Sequence, residues 1–159
     1  MTQSKKRLMI INLAIPLIIG IFSAILVNRD FSVYNNLRRP ALSPPFYVFP
    51  IVWSILYILM GISSYLISSK RTNENEIDVF TCYILYALSL LLNVIWMVVF
   101  FKFEKFAVAL AVLLLIIIII FSKIFAFSKI SKTAALIQLP YLIWSIFAAY
   151  LNISIYAMN

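Results

Sequence analysis

A chain of 159 residues that is 65% hydrophobic and only 11% charged, with a mean hydropathy of +1.07, falls outside the composition of soluble domains, where roughly a quarter of residues are charged. Its length admits one domain, and with no His and a single Cys, Cys82, it excludes His-dependent acid–base catalysis, zinc sites built on His or several Cys, and intrachain disulfides. The formal net charge of +8 is not gathered into the basic face that a nucleic-acid binder requires; Lys and Arg stand between apolar runs, where a chain leaves a bilayer.

A hydrocarbon core about 30 Å thick takes roughly twenty apolar residues per helix. Five runs meet that length: Leu8 to Val27, Phe46 to Ile67, Val79 to Phe101, Phe106 to Phe127, and Thr133 to Met158. The fold expected is all-α, a polytopic five-transmembrane-helix bundle forming a single domain over residues 1–159.

The first run follows Lys5, Lys6 and Arg7. It is too long for a signal-peptide core and no convincing small-residue cleavage site follows, so it reads as an ordinary first span. Asn12, Pro16, Gly20 and Ser23 share one side of it. The connection from Asn28 to Pro45 holds Pro40, Pro44 and Pro45, which preset backbone angles and disfavour helix before them. An ordered cap over one end of the bundle is expected there.

The second span carries Pro50, Trp53, Tyr57, Gly61 and Ser64 at helical spacing. After it, Ser68 to Asp78, with Glu74, Glu76 and Asp78, reads as a solvated turn. The third span aligns Tyr86, Ser89, Asn93, Trp96 and Phe100 along one face. The fourth, unbroken from Ile116 to Ile120, is apolar nearly all round and is expected to face lipid or a partner subunit. The fifth aligns Gln138, Tyr141, Ser145, Ala148, Asn152 and Tyr156, with Trp144 on the flank.

Polar groups within spans normally face the bundle interior or a cavity. Small and polar residues glue helices together, and aromatic residues form interfacial belts; an aromatic-lined pocket with a few amides is the third account of these faces. Residue pattern leaves pocket and packing both open. Lys123 is the one ionisable residue well inside a span, and its proximity to the end predicts that it snorkels to the interface. Ion-coupled transport is therefore not expected.

Cytoplasmic loops are richer in Lys and Arg. The N-terminal side carries eight (Lys5, Lys6, Arg7, Lys70, Arg71, Lys123, Lys129, Lys132) and the opposite side five (Arg29, Arg38, Arg39, Lys102, Lys105), which predicts a cytoplasmic N-terminus and an external C-terminus in the cell membrane.

Four motifs then point to a family. Arg39-Pro40-Ala41-Leu42-Ser43-Pro44-Pro45 resembles the loop signature of the translocator protein family, the tryptophan-rich sensory proteins or peripheral benzodiazepine receptors. Pro50-x-x-Trp53-x-x-x-Tyr57-x-x-x-Gly61 continues it, Leu92-Asn93-x-x-Trp96 with Phe100-Phe101 resembles its third-helix motif, and Pro140-Tyr141-Leu142-x-Trp144-x-x-Phe147-Ala148-x-Tyr150-Leu151-Asn152 its fifth. The resemblance implies a five-helix bundle, often a homodimer, that binds tetrapyrroles such as protoporphyrin IX and heme in a pocket under the first loop.

It also implies binding of isoquinoline carboxamides and benzodiazepines, cholesterol binding in animal members, and light- and oxygen-dependent porphyrin degradation in bacterial ones. By motif match, the pocket would be lined by Tyr34, Pro44, Trp53, Tyr57, Asn93, Trp96, Trp144 and Ala148. Trp53 and Trp144 would be electron donors to the excited porphyrin.

The sequence departs from the family where Leu42 replaces the signature Trp and Val33 replaces the Trp before the loop Tyr. Ile153 occupies the Tyr position of the sterol-recognition pattern and no basic residue follows, so sterol recognition there is not expected. Without His, heme is expected to bind by stacking rather than axial coordination, and no metal site is expected. The alternative function is that of a passive carrier or regulatory membrane subunit for another apolar ligand.

Overall fold

The computed structural model describes residues 3–27, 34 and 36–159. The regular structure of those residues is helical throughout: α1 (Gln3–Leu26), α2 (Val48–Ser69), α3 (Glu76–Phe101), α4 (Phe106–Ile130), α5 (Lys132–Leu136) and α6 (Leu139–Met158). Five segments are long and apolar enough to cross a membrane, the fifth running through α5 and α6 as Lys132–Met158. The chain is a multi-pass membrane protein whose helices extend a few residues past several of the apolar limits read from the sequence.

The helices close into a ring. α1 packs on α2 and α3, α3 on α4, and α4 on α5 and α6. α6 returns to α2 through ring contacts, Trp53 with Tyr141 at 6.3 Å and Phe49 with Trp144 at 5.8 Å between centroids. Isoleucines such as Ile10, Ile18, Ile55, Ile118 and Ile143 stand exposed on the outer surface. Against lipid they carry no penalty, so hydrophobicity alone does not separate the inner face of a helix from its outer one.

The α1–α2 contact illustrates why. Pro16 has no N–H to give the Asn12 carbonyl, which frees that oxygen at the helix surface. The backbone of Gly61 lies against it so closely that a Cβ there would stand 2.8 Å from Asn12 O and 2.9 Å from Leu13 Cα. The Asn12 side chain donates to Leu8 O (2.9 Å) and accepts from Ser64 (2.6 Å) and Ser68 (3.3 Å), and Tyr83 of α3 donates to Ser68 (2.9 Å). Gly61 and Ser64 thus act in packing.

The connections differ in tightness. Between α3 and α4, the Phe103 N–H reaches back to Val98 O (3.1 Å) and Glu104 takes a left-handed conformation with φ 52°. In the polar turn after α2, Arg71 pairs with Glu76, and the Asn75 side chain accepts from Thr72 N (2.8 Å) while donating to Lys70 O (2.9 Å). Ser131 ends α4 and accepts from Ala134 N (3.4 Å) to start α5; Pro140, which cannot donate to a preceding turn, opens α6.

Three readings of the sequence are corrected here. The fourth span does not only face lipid: Ala109, Leu113, Ile116, Ile120, Lys123 and Phe127 form a buried stripe against α3 and α6. Lys123 does not snorkel; it is 0% exposed. A helical Cα–Cβ bond tilts toward the helix N-terminus, which for Lys123 leads away from the nearer end and into the bundle. Removing it from the flanking charges leaves seven on the N-terminal side against five. Tyr156, expected on the inner face of the last helix, is 56% exposed.

Gly61→Ala is expected to cost about 1–3 kcal/mol, because its methyl group meets backbone that cannot rotate away. Gly20→Ala meets only the Tyr57 ring, at 2.5 Å, and should cost less. Thermal unfolding of the detergent-solubilised variants measures both, and equal losses would show that the α1–α2 backbone approach is not limiting.

Candidate functional site

Inside the ring, polar side chains form a seam at the level of the α3 midpoint. Tyr141 Oη donates to Asn93 Oδ1 at 2.8 Å. Lys123 Nζ donates to Ser89 Oγ at 3.1 Å and stands 4.9 Å from the centre of the Tyr141 ring and 5.8 Å from that of Tyr86. Toward the end near the first loop, Trp96 Nε1 donates to Asn152 Oδ1 (3.4 Å), and Asn152 Nδ2 donates to Phe106 O (2.9 Å), fastening α6 to the start of α4.

Above this seam lies a cavity of about 220 Å³ between α1, α2 and α3. Its wall is aromatic, with Phe46, Phe49, Trp53, Tyr57, Trp96 and Phe101, and Asn93 is its amide. The Trp53 ring lies 5.5 Å from Tyr57 and 6.3 Å from Trp96, both tilted rather than edge-on. Flat faces backed by an apolar shell suit a flat, largely apolar ligand. Gly20 lines this cavity, and its missing Cβ leaves the Tyr57 ring its place.

A second, smaller space of about 20 Å³ is lined by Tyr34, Phe100, Ala148, Leu151, Asn152 and Ile155, and shares Phe49, Trp96 and Phe101 with the first. Those three rings are the partition between the two. A third, open hollow on the loop is lined by Leu37, Arg39, Pro40, Ser43, Pro44 and Pro45.

The eight residues expected at the pocket are therefore distributed. Trp53, Tyr57, Asn93 and Trp96 meet in the main cavity; Tyr34 and Ala148 line the small one; Pro44 belongs to the loop hollow. Trp144 lines none of these three. It packs against Phe49 and Phe147 with Nε1 lacking a hydrogen-bond partner among the described residues. Phe49, which the sequence reading passed over, is the hub: it also touches Tyr34 at 5.1 Å. Its signal was present, since Phe49 and Trp53 are four apart on one helix face.

The described part of the first loop caps this end. Tyr34 is buried, its hydroxyl bonded to Ser43 Oγ and to Pro44 O (3.2 Å), with the Arg39 guanidinium 4.7 Å over its ring. The Asn159 side chain accepts from Arg38 N and donates to Arg38 O, both at 3.0 Å. Leu42, at the signature Trp position, is 70% exposed. Val33, at the other departure from the family pattern, lies outside the described residues, as do the rest of residues 28–33.

Tyr141→Phe keeps the ring and removes the donor to buried Asn93. About 1–3 kcal/mol of stability should be lost, read as a lower unfolding midpoint in detergent; an unchanged midpoint would mean that water replaces the hydroxyl.

Residues 12–158 match the TspO/MBR family. The chain is 36% identical over 126 residues to the tryptophan-rich protein TspO of Chlorobaculum tepidum, covering 79% of this chain and 78% of that protein. It is 33% identical to protein CrtK of Rhodobacter capsulatus (79% and 78% covered) and 33% identical to the human translocator protein (79% and 74%). Matched from the first span to the last, with the motif residues Tyr57, Asn93, Trp96, Tyr141, Ala148 and Asn152 buried inside a five-span ring, the chain belongs to the TspO/MBR family.

Proposed function

We propose that this protein is a membrane receptor for tetrapyrroles such as protoporphyrin IX and heme, held by aromatic contact without axial coordination, and that it promotes light- and oxygen-dependent porphyrin degradation. The observation that carries the reading is the cavity walled by Trp53, Tyr57, Trp96 and three phenylalanines around one amide, Asn93. Indole and phenol faces stack on a porphyrin plane, and Asn93 serves a polar substituent. The receptor sits in the cell membrane with its N-terminus cytoplasmic, a reading supported by the excess of basic residues on that side.

At about 220 Å³ the cavity is below the roughly 300–1,000 Å³ usual for drug-sized ligands. Joining it to the neighbouring space of about 20 Å³ leaves it still below that range, so tetrapyrrole binding requires the rings of Phe49, Trp96 and Phe101 to move aside and part of the macrocycle to extend beyond the cavity. The same small volume favours a second reading, a passive carrier or regulatory subunit for a smaller apolar molecule.

In the photochemical step, Trp53 would be the nearer electron donor, since it lines the cavity, and Trp144 the farther, behind Phe49. Titration of purified protein with protoporphyrin IX, followed by illumination, tests this. Saturable quenching of Trp fluorescence is expected, with degradation slowed several-fold more by Trp53→Phe than by Trp144→Phe and slowest of all in the double variant. Unsaturable quenching would favour the smaller-ligand reading; binding with undiminished degradation in the double variant would remove both indoles from the chemistry.

A further inference from the structure

The interior holds a lysine amine with no counter-ion among the described residues. Lys123 is fully buried, and its Nζ bonds to Ser89, which stands close to the middle of α3. Each described carboxylate, of Glu74, Glu76, Asp78 and Glu104, is exposed at a helix end or turn; Asp30 lies outside the described residues. The rings of Tyr141 and Tyr86 offer their faces, but neither supplies a negative charge. Burying an ammonium without one is among the most costly arrangements in a protein interior, and in hydrocarbon no water relieves it.

Unpaired polar groups share the helix faces of its neighbours Ser89 and Tyr141. Asn93 Nδ2, both polar atoms of the Gln138 amide and Ser145 Oγ are buried and have no hydrogen-bond partner among the described residues. Gln138 and Ser145 flank Tyr141 on the same face of the last span, three residues before and four after it. Ser89 and Asn93 are likewise four apart, which sets the ammonium about one helical turn from the amide of the main cavity. Of these groups Asn93 lines the main cavity, and Tyr141 and Ser89 link it to Lys123 behind the wall; none of them has an anion among the described residues to pair with.

We propose that Lys123 makes this cavity selective for acids: the preferred ligand has an apolar, flat body among the aromatic rings and a carboxylate that reaches past Asn93 to the Lys123 ammonium. The proposal rests on the reading of the cavity as a ligand site and names the chemical class it takes. Asn93 Nδ2 donates to the carboxylate first. Tyr141 then shifts its hydroxyl from Asn93 Oδ1 to the same carboxylate, and the four-carbon stem of Lys123 carries Nζ from Ser89 to the ion pair. Charge-assisted bonds of this kind form only with the ionised group, so an ester of the same body forfeits them.

The test uses the full chain in detergent and two acid–ester pairs: protoporphyrin IX with its dimethyl ester, and pyrenebutyric acid with its methyl ester. Wild type is expected to bind each acid about tenfold or more tightly than its ester. Lys123→Met, which keeps the length of the side chain, should bring each ratio to within about twofold while leaving ester affinity in place, and Lys123→Arg should retain the preference. A purely structural lysine would change stability without changing the ratio.

Equal affinity of wild type for acids and esters overturns the proposal without reference to any variant, as does an unchanged ratio in Lys123→Met. Pyrenebutyrate binding that depends on Lys123, with no binding of either porphyrin, would uphold acid selectivity while removing the tetrapyrrole reading. Failure of all four probes to bind overturns both.

Discussion

Hydrocarbon supplies no hydrogen bonds, so a polar group within a span of this protein is costly unless another part of the chain partners it. That cost, more than apolar burial, orders the interior. The Asn12 amide ties α1 to α2, Ser63 donates to Ala134 O (2.7 Å) to tie α2 to α5, Tyr141 and Asn93 join α6 to α3, and Asn152 ties α6 to the start of α4. Each of these bonds joins residues 46 to 71 positions apart in the chain. The apolar residues around them fill space, and the same residue types cover the lipid-facing surface.

This division explains what the sequence made legible. The inner faces of α3 and α6 were readable because Ser89, Asn93, Gln138, Ser145 and Asn152 mark them with groups that lipid rejects. The inner stripe of α4 was not, because Ala109, Leu113, Ile116 and Ile120 resemble their lipid-facing neighbours. Only Lys123 marks that stripe, and counting back from it by alternating threes and fours reaches all four residues. Reading the lysine by its distance from the helix end, rather than by the direction of its Cα–Cβ bond, hid the stripe.

The site was legible to a different degree. Spacing brought Trp53, Tyr57, Asn93 and Trp96 together because they lie on adjacent turns of two facing helices. The division of the remaining aromatic residues between two spaces depends on how the rings of Phe49, Trp96 and Phe101 meet across two helices, which no single helix pattern encodes. Asn159, bound to the backbone of Arg38 far back in the chain, has no local signature at all. Family resemblance located the motifs; packing decided which of them share a wall.

The short connection between α3 and α4 bears on how the chain enters a bilayer. A lysine presented alone to the hydrocarbon at the centre of a helix costs about 2.5–3.5 kcal/mol on insertion scales. Lys123 meets Ser89 on the immediately preceding helix, and Lys102 to Lys105 form the tight turn between them. The third and fourth spans can therefore pair as a hairpin before either contacts the rest of the protein. Such a hairpin would carry the amine into the bilayer already bonded to Ser89 rather than bare.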